Sequence, residues 1–304
     1  MEFHFLPFCV LFCIVISGNA SQAPVPAVMY WQSVLPNTSM PKALHDLIQP
    51  ETAQENTSTF SEVEFTSLQA DYGIGYINKE SLVKSTIASN ITTVYFLHDD
   101  LHPGQKMMLV FAKSSNESNF VSRKIAQTIP FSSNRFLEIL KHFSIELASR
   151  KAQIIKRTIK ECEASGVKGE DKYCATSLES LVDFIVAKYG NKVEAYANEV
   201  EEENKKQNYT FLKGIKMIGD DQIVCHKKRY PYAVFYCHII METRAYLVPL
   251  MGEDGSKAEA IVVCHMNTSA WNPMHLAFQI LKVKPGGPPI CHFLNSDTIV
   301  WIPS

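Results

Sequence analysis

Four Cys-His dipeptides crowd the last third of the chain, Cys225-His226, Cys237-His238, Cys264-His265 and Cys291-His292, separated by ten, twenty-five and twenty-five residues. Neighbouring side chains on a β-strand point to opposite faces. Dipeptides placed on strands would therefore send sulfur to one side and imidazole to the other. In an oxidising compartment the sulfurs become disulfides, while neutral imidazoles suit copper or zinc. His226, His238, His265 and His292 are thus the candidate metal ligands, and the cysteines beside them are candidate staples. A zinc finger fits poorly, because its ligand pairs are separated by two or more residues so that both reach one ion. Once the thiols are oxidised, an imidazole-only set remains, which favours copper.

Secretion follows from the other end of the chain. Phe5 to Ser17 is almost wholly apolar and runs into Gly18-Asn19-Ala20, a pattern that suits cleavage after Ala20 and marks residues 1–20 as a signal peptide. The segment before the apolar run carries Glu2 and His4 but no Lys or Arg, so a short membrane anchor is the competing reading. The run is short for a span, and no later stretch approaches the length of about 20 apolar residues that a span needs. A soluble mature protein, with no membrane association after signal removal, is expected. Cys9 and Cys13 leave with the signal, and the six that remain are Cys162, Cys174, Cys225, Cys237, Cys264 and Cys291. Six cysteines allow about fifteen pairings. Proximity in the chain favours Cys162 with Cys174, closing a short loop and leaving the other four to pair among themselves. Sequons at Asn37, Asn56, Asn90, Asn116 and Asn208 are candidate glycosylation sites; a sixth, at Asn267, lies so near His265 that a structural role is expected of it.

The chain has 304 residues, 46% hydrophobic and 20% charged, which is enough for one sizeable domain with extensions. A formal net charge of −2 gives no general electrostatic reason to expect nucleic acid as a partner. Residues 21–93 are rich in Ser, Thr, Asn, Pro and Gln and read as a flexible N-terminal segment ahead of a domain over 94–304. Short strands are expected at Val94 to Leu97 and Met107 to Phe111, and helices from Ser133 to Phe143 and Lys151 to Glu163. A third helix is expected after a capping box of Thr176 and Glu179, ending at Gly190. The charged stretch from Glu199 to Lys206 reads as a solvated helix end or loop. Strands then dominate: Val234 to Met241, Ala245 to Met251, Ala260 to His265, Ala277 to Val283 and Thr298 to Ile302. The fold class expected is α+β, with N-terminal helices followed by a mostly antiparallel, disulfide-stapled β-rich domain.

Further motifs join the dipeptides into a wider pattern: Leu101-His102-Pro103-Gly104, Ile129-Pro130-Phe131-Ser132, Glu161-Cys162-Glu163, Tyr173-Cys174-Ala175-Thr176, Tyr230-Pro231-Tyr232-Ala233, Thr268-Ser269-Ala270-Trp271-Asn272-Pro273 and Cys291-His292-Phe293-Leu294. Over roughly the last two-thirds of the chain this resembles the plant BURP-domain family, whose signature is a run of four Cys-His pairs at these intervals, and in particular its dehydration-responsive and seed-protein branches. The resemblance implies that the four dipeptide cysteines pair among themselves. Some members are copper-dependent cyclases that use dioxygen to crosslink a core peptide in their own N-terminal region. By that carry-over the four histidines would hold copper, and the partner would be the chain's own N-terminal peptide or another peptide. The nearest core-peptide candidate is Gln69 to Tyr76, with Gln69, Tyr72 and Tyr76 as crosslinking positions, although no repeat of it occurs. Catalytic residues are not assigned by the sequence. Signatures of hydrolases, zinc proteases and nucleotide-dependent enzymes are missing. The alternative the resemblance implies is a non-enzymatic seed, stress-response or cell-wall protein, extracellular or in the storage vacuole, with wall or vacuolar components as partners. Whether His102 or His275 joins the site stays open.

Overall fold

The computed structural model describes residues 26–48, 95–112, 118–166, 170–220 and 222–304. Two helices come first, α1 (Pro26–Val34) and α2 (Lys42–His45), followed by strand β1 (Tyr95–Leu97), a 3-10 turn and strand β2 (Lys106–Leu109). Helices α3 (Arg123–Ala126), α4 (Phe136–His142) and α5 (Arg150–Glu163) lead to β3 (Glu170–Ala175) and α6 (Leu178–Tyr189). Strands β4 (Val193–Tyr196), β5 (Glu199–Val200), β6 (Gln207–Phe211), β7 (Lys216–Asp220), β8 (Ile223–Lys228), β9 (Val234–Ile240), β10 (Thr243–Gly252) and β11 (Lys257–His265) then follow in series. Helix α7 (Leu276–Leu281), β12 (Ile290–Phe293) and β13 (Ile299–Pro303) complete the order. The fold is α+β, and every strand pairing is antiparallel.

Two sheets carry the architecture. The larger runs β1-β12-β11-β10-β6-β2, with β5 on β11 and β7 on β10; the smaller runs β3-β9-β8-β13-β4. They meet through Val224, Val300 and Ile302 on one side and Ala245, Ile261 and Val263 on the other. The approach is closest at Gly219, where an added Cβ would lie 2.8 Å from Ile302 Cγ2, so β7 can pass β13 there only without a side chain. The far face of the smaller sheet buries Ile223, Phe235, Ile299 and Trp301 under α1 and α6. The larger sheet curls so that Phe96 on β1 reaches Phe211 on β6, with ring centroids 6.3 Å apart. Among the described residues no helix is long and apolar enough to cross a membrane.

Several local expectations shift. The capping box of α6 is one residue later than the sequence suggested: Ser177 Oγ accepts from Ser180 N, while Ser180 Oγ accepts from Ser177 N. Glu179 Oε1 instead accepts the backbone N–H of Arg123. Ala277 to Val283 is not a strand; Leu276–Leu281 is a helix, entered through His275, whose Nδ1 accepts from Ala277 N at 3.2 Å. The charged stretch after Glu199 begins as β5, paired to β11, before turning out. The largest difference lies near the N-terminus. Of the segment 21–93 read as flexible, Pro26 to Ile48 is folded, with Trp31, Leu35, Leu44 and Leu47 buried in the core beneath α6. Sparse apolar residues in a polar stretch conceal this, because their burial depends on a partner surface far along the chain. Residues 1–25 and 49–94 lie outside the described residues.

Candidate functional site

Alternation along the strands produces the separation of sulfur from imidazole. In the smaller sheet Cys225 on β8 stands directly opposite Cys237 on β9, and in the larger sheet Cys264 on β11 stands opposite Cys291 on β12. Both pairs are disulfides with Cα atoms 3.9 Å apart, and all four cysteines are fully buried on the faces turned away from the other sheet. The third disulfide, Cys162–Cys174, ties the end of α5 to β3. One residue beyond each cross-strand cysteine, the four histidines face inward, and His226, His238, His265 and His292 line one cavity of about 10 Å³ between the sheets. Val224, Val263, Leu294, Gln222 and Thr243 complete its wall. A volume of that order holds about one water-sized occupant.

The imidazoles stand as two pairs. In the smaller sheet His226 Nε2 is 3.2 Å from His238 Nε2, and His238 Nδ1 is 2.8 Å from Glu170 Oε1, which also accepts from Tyr236 OH at 2.7 Å. In the larger sheet His265 and His292 stack, with centroids 5.6 Å apart and planes 14° apart. Trp271 meets His265 edge-on at 4.8 Å, and Tyr95 meets His292 at 5.9 Å. His292 Nδ1 lies 3.2 Å from Phe293 O, so it donates to that carbonyl and leaves Nε2 as the ring's lone-pair nitrogen. Two nitrogens bound to one ion at about 2.0 Å stand roughly 2.8 to 3.3 Å apart for right-angle or tetrahedral geometry. The His226–His238 separation falls in that range, and it equally suits an imidazole-to-imidazole hydrogen bond. Among the described residues no group of three or more His, Cys, Asp or Glu side chains is arranged to hold a metal ion.

Burial decides the charge state. Desolvation, reinforced by neighbouring imidazoles, holds His226 and His265 well below the ordinary histidine range, and desolvation brings His292 down to about 4. These rings stay neutral in the folded protein. Below about pH 6.5 the unfolded chain takes up protons that the folded one refuses, so the metal-free protein loses stability as pH falls from there toward the folded values. For His292 alone the loss is on the order of 2 kcal/mol by about pH 5. Urea unfolding at about pH 7 and about pH 5 checks this; equal stability at both would contradict neutral burial.

The remaining candidates divide. Asn37 is exposed in the turn after α1. Asn208, half-buried on β6, donates through Nδ2 to Glu253. Asn267 accepts from Ser269 N and donates to Glu242, a structural brace for the loop beyond His265. Asn56, Asn90 and Asn116, with Gln69, Tyr72 and Tyr76, lie outside the described residues. His102 is exposed, its Nδ1 3.1 Å from Pro103 O, and does not line the cavity. Nor does His275, which caps α7 and packs against Trp271 with centroids 4.6 Å apart. Strand alternation puts Tyr236 on the face of His238, as the structure shows; sequence reasoning missed Glu170, Tyr95 and Trp271, whose positions follow from strand pairing and from the fold of the 268–275 loop.

Two facing antiparallel sheets, each carrying an imidazole pair backed by a cross-strand disulfide, define a disulfide-stapled histidine-site protein. A family model described as the BURP domain matches residues 94–303, and the chain belongs to that family. It is 51% identical to BURP domain protein RD22 of Arabidopsis thaliana over 215 residues, covering 68% of this chain and 55% of that protein. It is 45% identical to BURP domain-containing protein 3 of Oryza sativa subsp. japonica over 214 residues, covering 68% of this chain and 50% of that one. The chain thus spans about half the length of these two relatives. With BURP domain-containing protein 2 of the same rice it shares 33% identity over 305 residues, 96% of this chain and 97% of the relative.

Proposed function

We propose that this chain is a copper-binding BURP-domain protein of the secretory pathway, with His226, His238, His265 and His292 as the residues that hold the ion. The observation that carries the reading is the convergence of four imidazoles, His238, His265 and His292 buried and His226 half-buried, from four strands of two sheets, on one small cavity. The donor set fits copper in kind: neutral nitrogen ligands, with neither carboxylate nor thiol in the cavity wall. Three disulfides support an oxidising destination, extracellular or vacuolar. Bound copper would supply one-electron chemistry with dioxygen as oxidant. The protein's share is to hold four imidazoles oriented toward one cavity, with desolvation keeping His226, His265 and His292 neutral.

Two uses of such a site divide the family resemblance. As a peptide cyclase, the chain would crosslink side chains of its own N-terminal segment, two hydrogens leaving the peptide and dioxygen being reduced to peroxide. As a non-enzymatic stress or wall protein, it would use the ion to brace the two sheets. The cavity's size favours the second use, since about 10 Å³ has no room for a tyrosine or tryptophan side chain. Copper titration of the purified protein, with His226→Ala and His265→Ala as controls, tests the site: each variant should bind on the order of 100-fold more weakly or worse. Unchanged copper binding by both would remove the four-histidine reading. Peptide mass mapping of the same copper-loaded sample in air tests the chemistry. A loss of about two hydrogens in the Gln69 to Tyr76 peptide, absent from the controls, identifies a cyclase. An unmodified segment beside bound copper leaves the non-enzymatic use.

A further inference from the structure

The two imidazole pairs are not held alike, and the difference singles out one buried carboxylate. Glu170 opens β3, the edge strand of the smaller sheet, and pairs opposite Ile240, which sets it diagonally across from His238 on the cavity side. Its side chain is 6% exposed, and its Oε1 accepts from both Tyr236 OH and His238 Nδ1. Tyr236 is itself fixed in place. Lys172 and Lys228 lie over its ring at 5.3 and 5.8 Å, and both reach back to Glu161 on α5, Lys172 through the backbone oxygen and Lys228 through the carboxylate. The Cys162–Cys174 disulfide joins those two elements one residue beyond Glu161.

From this geometry we infer that Glu170 is the positioning residue of the histidine site, fixing His238 as the Nδ1–H tautomer so that its Nε2 lone pair points at the shared position beside His226. A carboxylate accepts and does not donate, so the hydrogen between Glu170 and the ring belongs to Nδ1. A ring whose one hydrogen sits on Nδ1 has its lone pair at Nε2, 3.2 Å from His226 Nε2. In the absence of an ion His226 fills that gap by donating its own Nε2 hydrogen. Ion binding requires His226 to move its hydrogen to Nδ1, while His238 needs no change. His238 is therefore the prearranged ligand of the pair and His226 the adaptable one. Such outer carboxylates orient a ligand ring and raise its basicity. The role at the ion rests on the copper reading above; the tautomer does not.

The test has two arms, and the first needs no metal. In the metal-free protein at neutral pH and above, nitrogen NMR of labelled histidines should show His238 with a protonated Nδ1 and a bare Nε2. Glu170→Ala should mix its tautomers, and Glu170→Gln, whose amide oxygen can still accept from Nδ1, should restore the single form. Finding His238 protonated at Nε2 in the parent protein would overturn the inference, as would an unchanged spectrum in Glu170→Ala. In the second arm Glu170→Ala should weaken copper(II) binding about 10- to 100-fold and alter its paramagnetic resonance spectrum, with Glu170→Gln within a few-fold of the parent. Binding lost in His238→Ala but unchanged in Glu170→Ala would refute the positioning role while leaving the copper site standing. A parent protein that binds no copper would remove the copper reading, and the first arm would still decide the tautomer. Should Glu170→Ala fail to fold, the parent spectrum and Glu170→Gln carry the decision.

Discussion

Replacing Cys264 and Cys291 together by alanine should cost about 3 to 4 kcal/mol of stability and dismantle the stacked His265–His292 pair. The crosslink closes a loop with a sequence separation of 27 residues, and chain entropy assigns such a loop about 3.6 kcal/mol, against about 2.8 kcal/mol for the separation of 12 shared by the other two disulfides. Alanine is the better probe than serine. Both cysteines are fully buried among Val262, Val248 and Phe96, where two unpaired hydroxyls would add their own penalty. The consequence reaches the site through register. Cys264 opposes Cys291 directly, and His265 and His292, one residue further along each strand, turn together to the opposite face. Non-reducing urea unfolding of the double variant, beside the Cys162→Ala/Cys174→Ala double variant, gives the ranking. A Cys264/Cys291 variant within about 1 kcal/mol of the parent would mean that the sheet already holds this register unaided.

How much of this was readable in advance depended on whether the determining contact was local. Strand alternation is local, so the opposite facing of Cys237 and His238 could be drawn from the sequence and is what β9 shows. Helix α6 was legible for the same reason: Leu178, Leu181, Val182 and Ile185 carry its buried stripe, and Gly190, at φ 75°, ends it. Local signals failed where they were ambiguous. Leu276 to Leu281 is a short apolar run that strand and helix templates fit equally, and the decision fell to His275 capping Ala277. Strand β3, Glu170-Asp171-Lys172-Tyr173-Cys174-Ala175, alternates in burial but is too charged to announce itself. Its pairing with β9 joins residues sixty to seventy positions apart in sequence, and Glu170 becomes a partner of His238 only through that pairing. The histidines could be nominated from their spacing; the carboxylate behind one of them could not.

Trp31→Ala tests the other place where a distant contact overrode local appearance, and it should destabilise the protein by about 3 to 5 kcal/mol, the range for emptying a buried large aromatic site. Trp31 is 3% exposed, lies against Trp301 with ring centroids 5.5 Å apart, and donates its indole N–H to Thr38 O at 2.9 Å. Thr38 in turn donates to Val193 O at the start of β4, so the turn after α1 is fastened to the edge of the smaller sheet. Outside this contact Tyr30 bonds Asp183 on α6, and Arg123 reaches the same carboxylate at 2.8 Å, but Arg123 and Asp183 are 37% and 47% exposed, so solvent screening leaves this ion pair a small contribution. The indole is therefore the anchor. Its loss should free α1 from α6 before the sheets separate, which would appear as faster protease cleavage between Pro26 and Ile48 at urea concentrations where near-ultraviolet dichroism from the sheet core persists. Trp31→Phe should recover most of the packing and lose only the bond to Thr38, about 1 kcal/mol. Since the family match begins at residue 94, a chain cut there would leave Trp301, Leu181 and Val182 without their cover and should aggregate where the full chain does not. If Trp31→Ala instead unfolds at the parent's urea midpoint, the N-terminal helix rests on the domain without stabilising it, and the segment is the loose extension that its composition suggested.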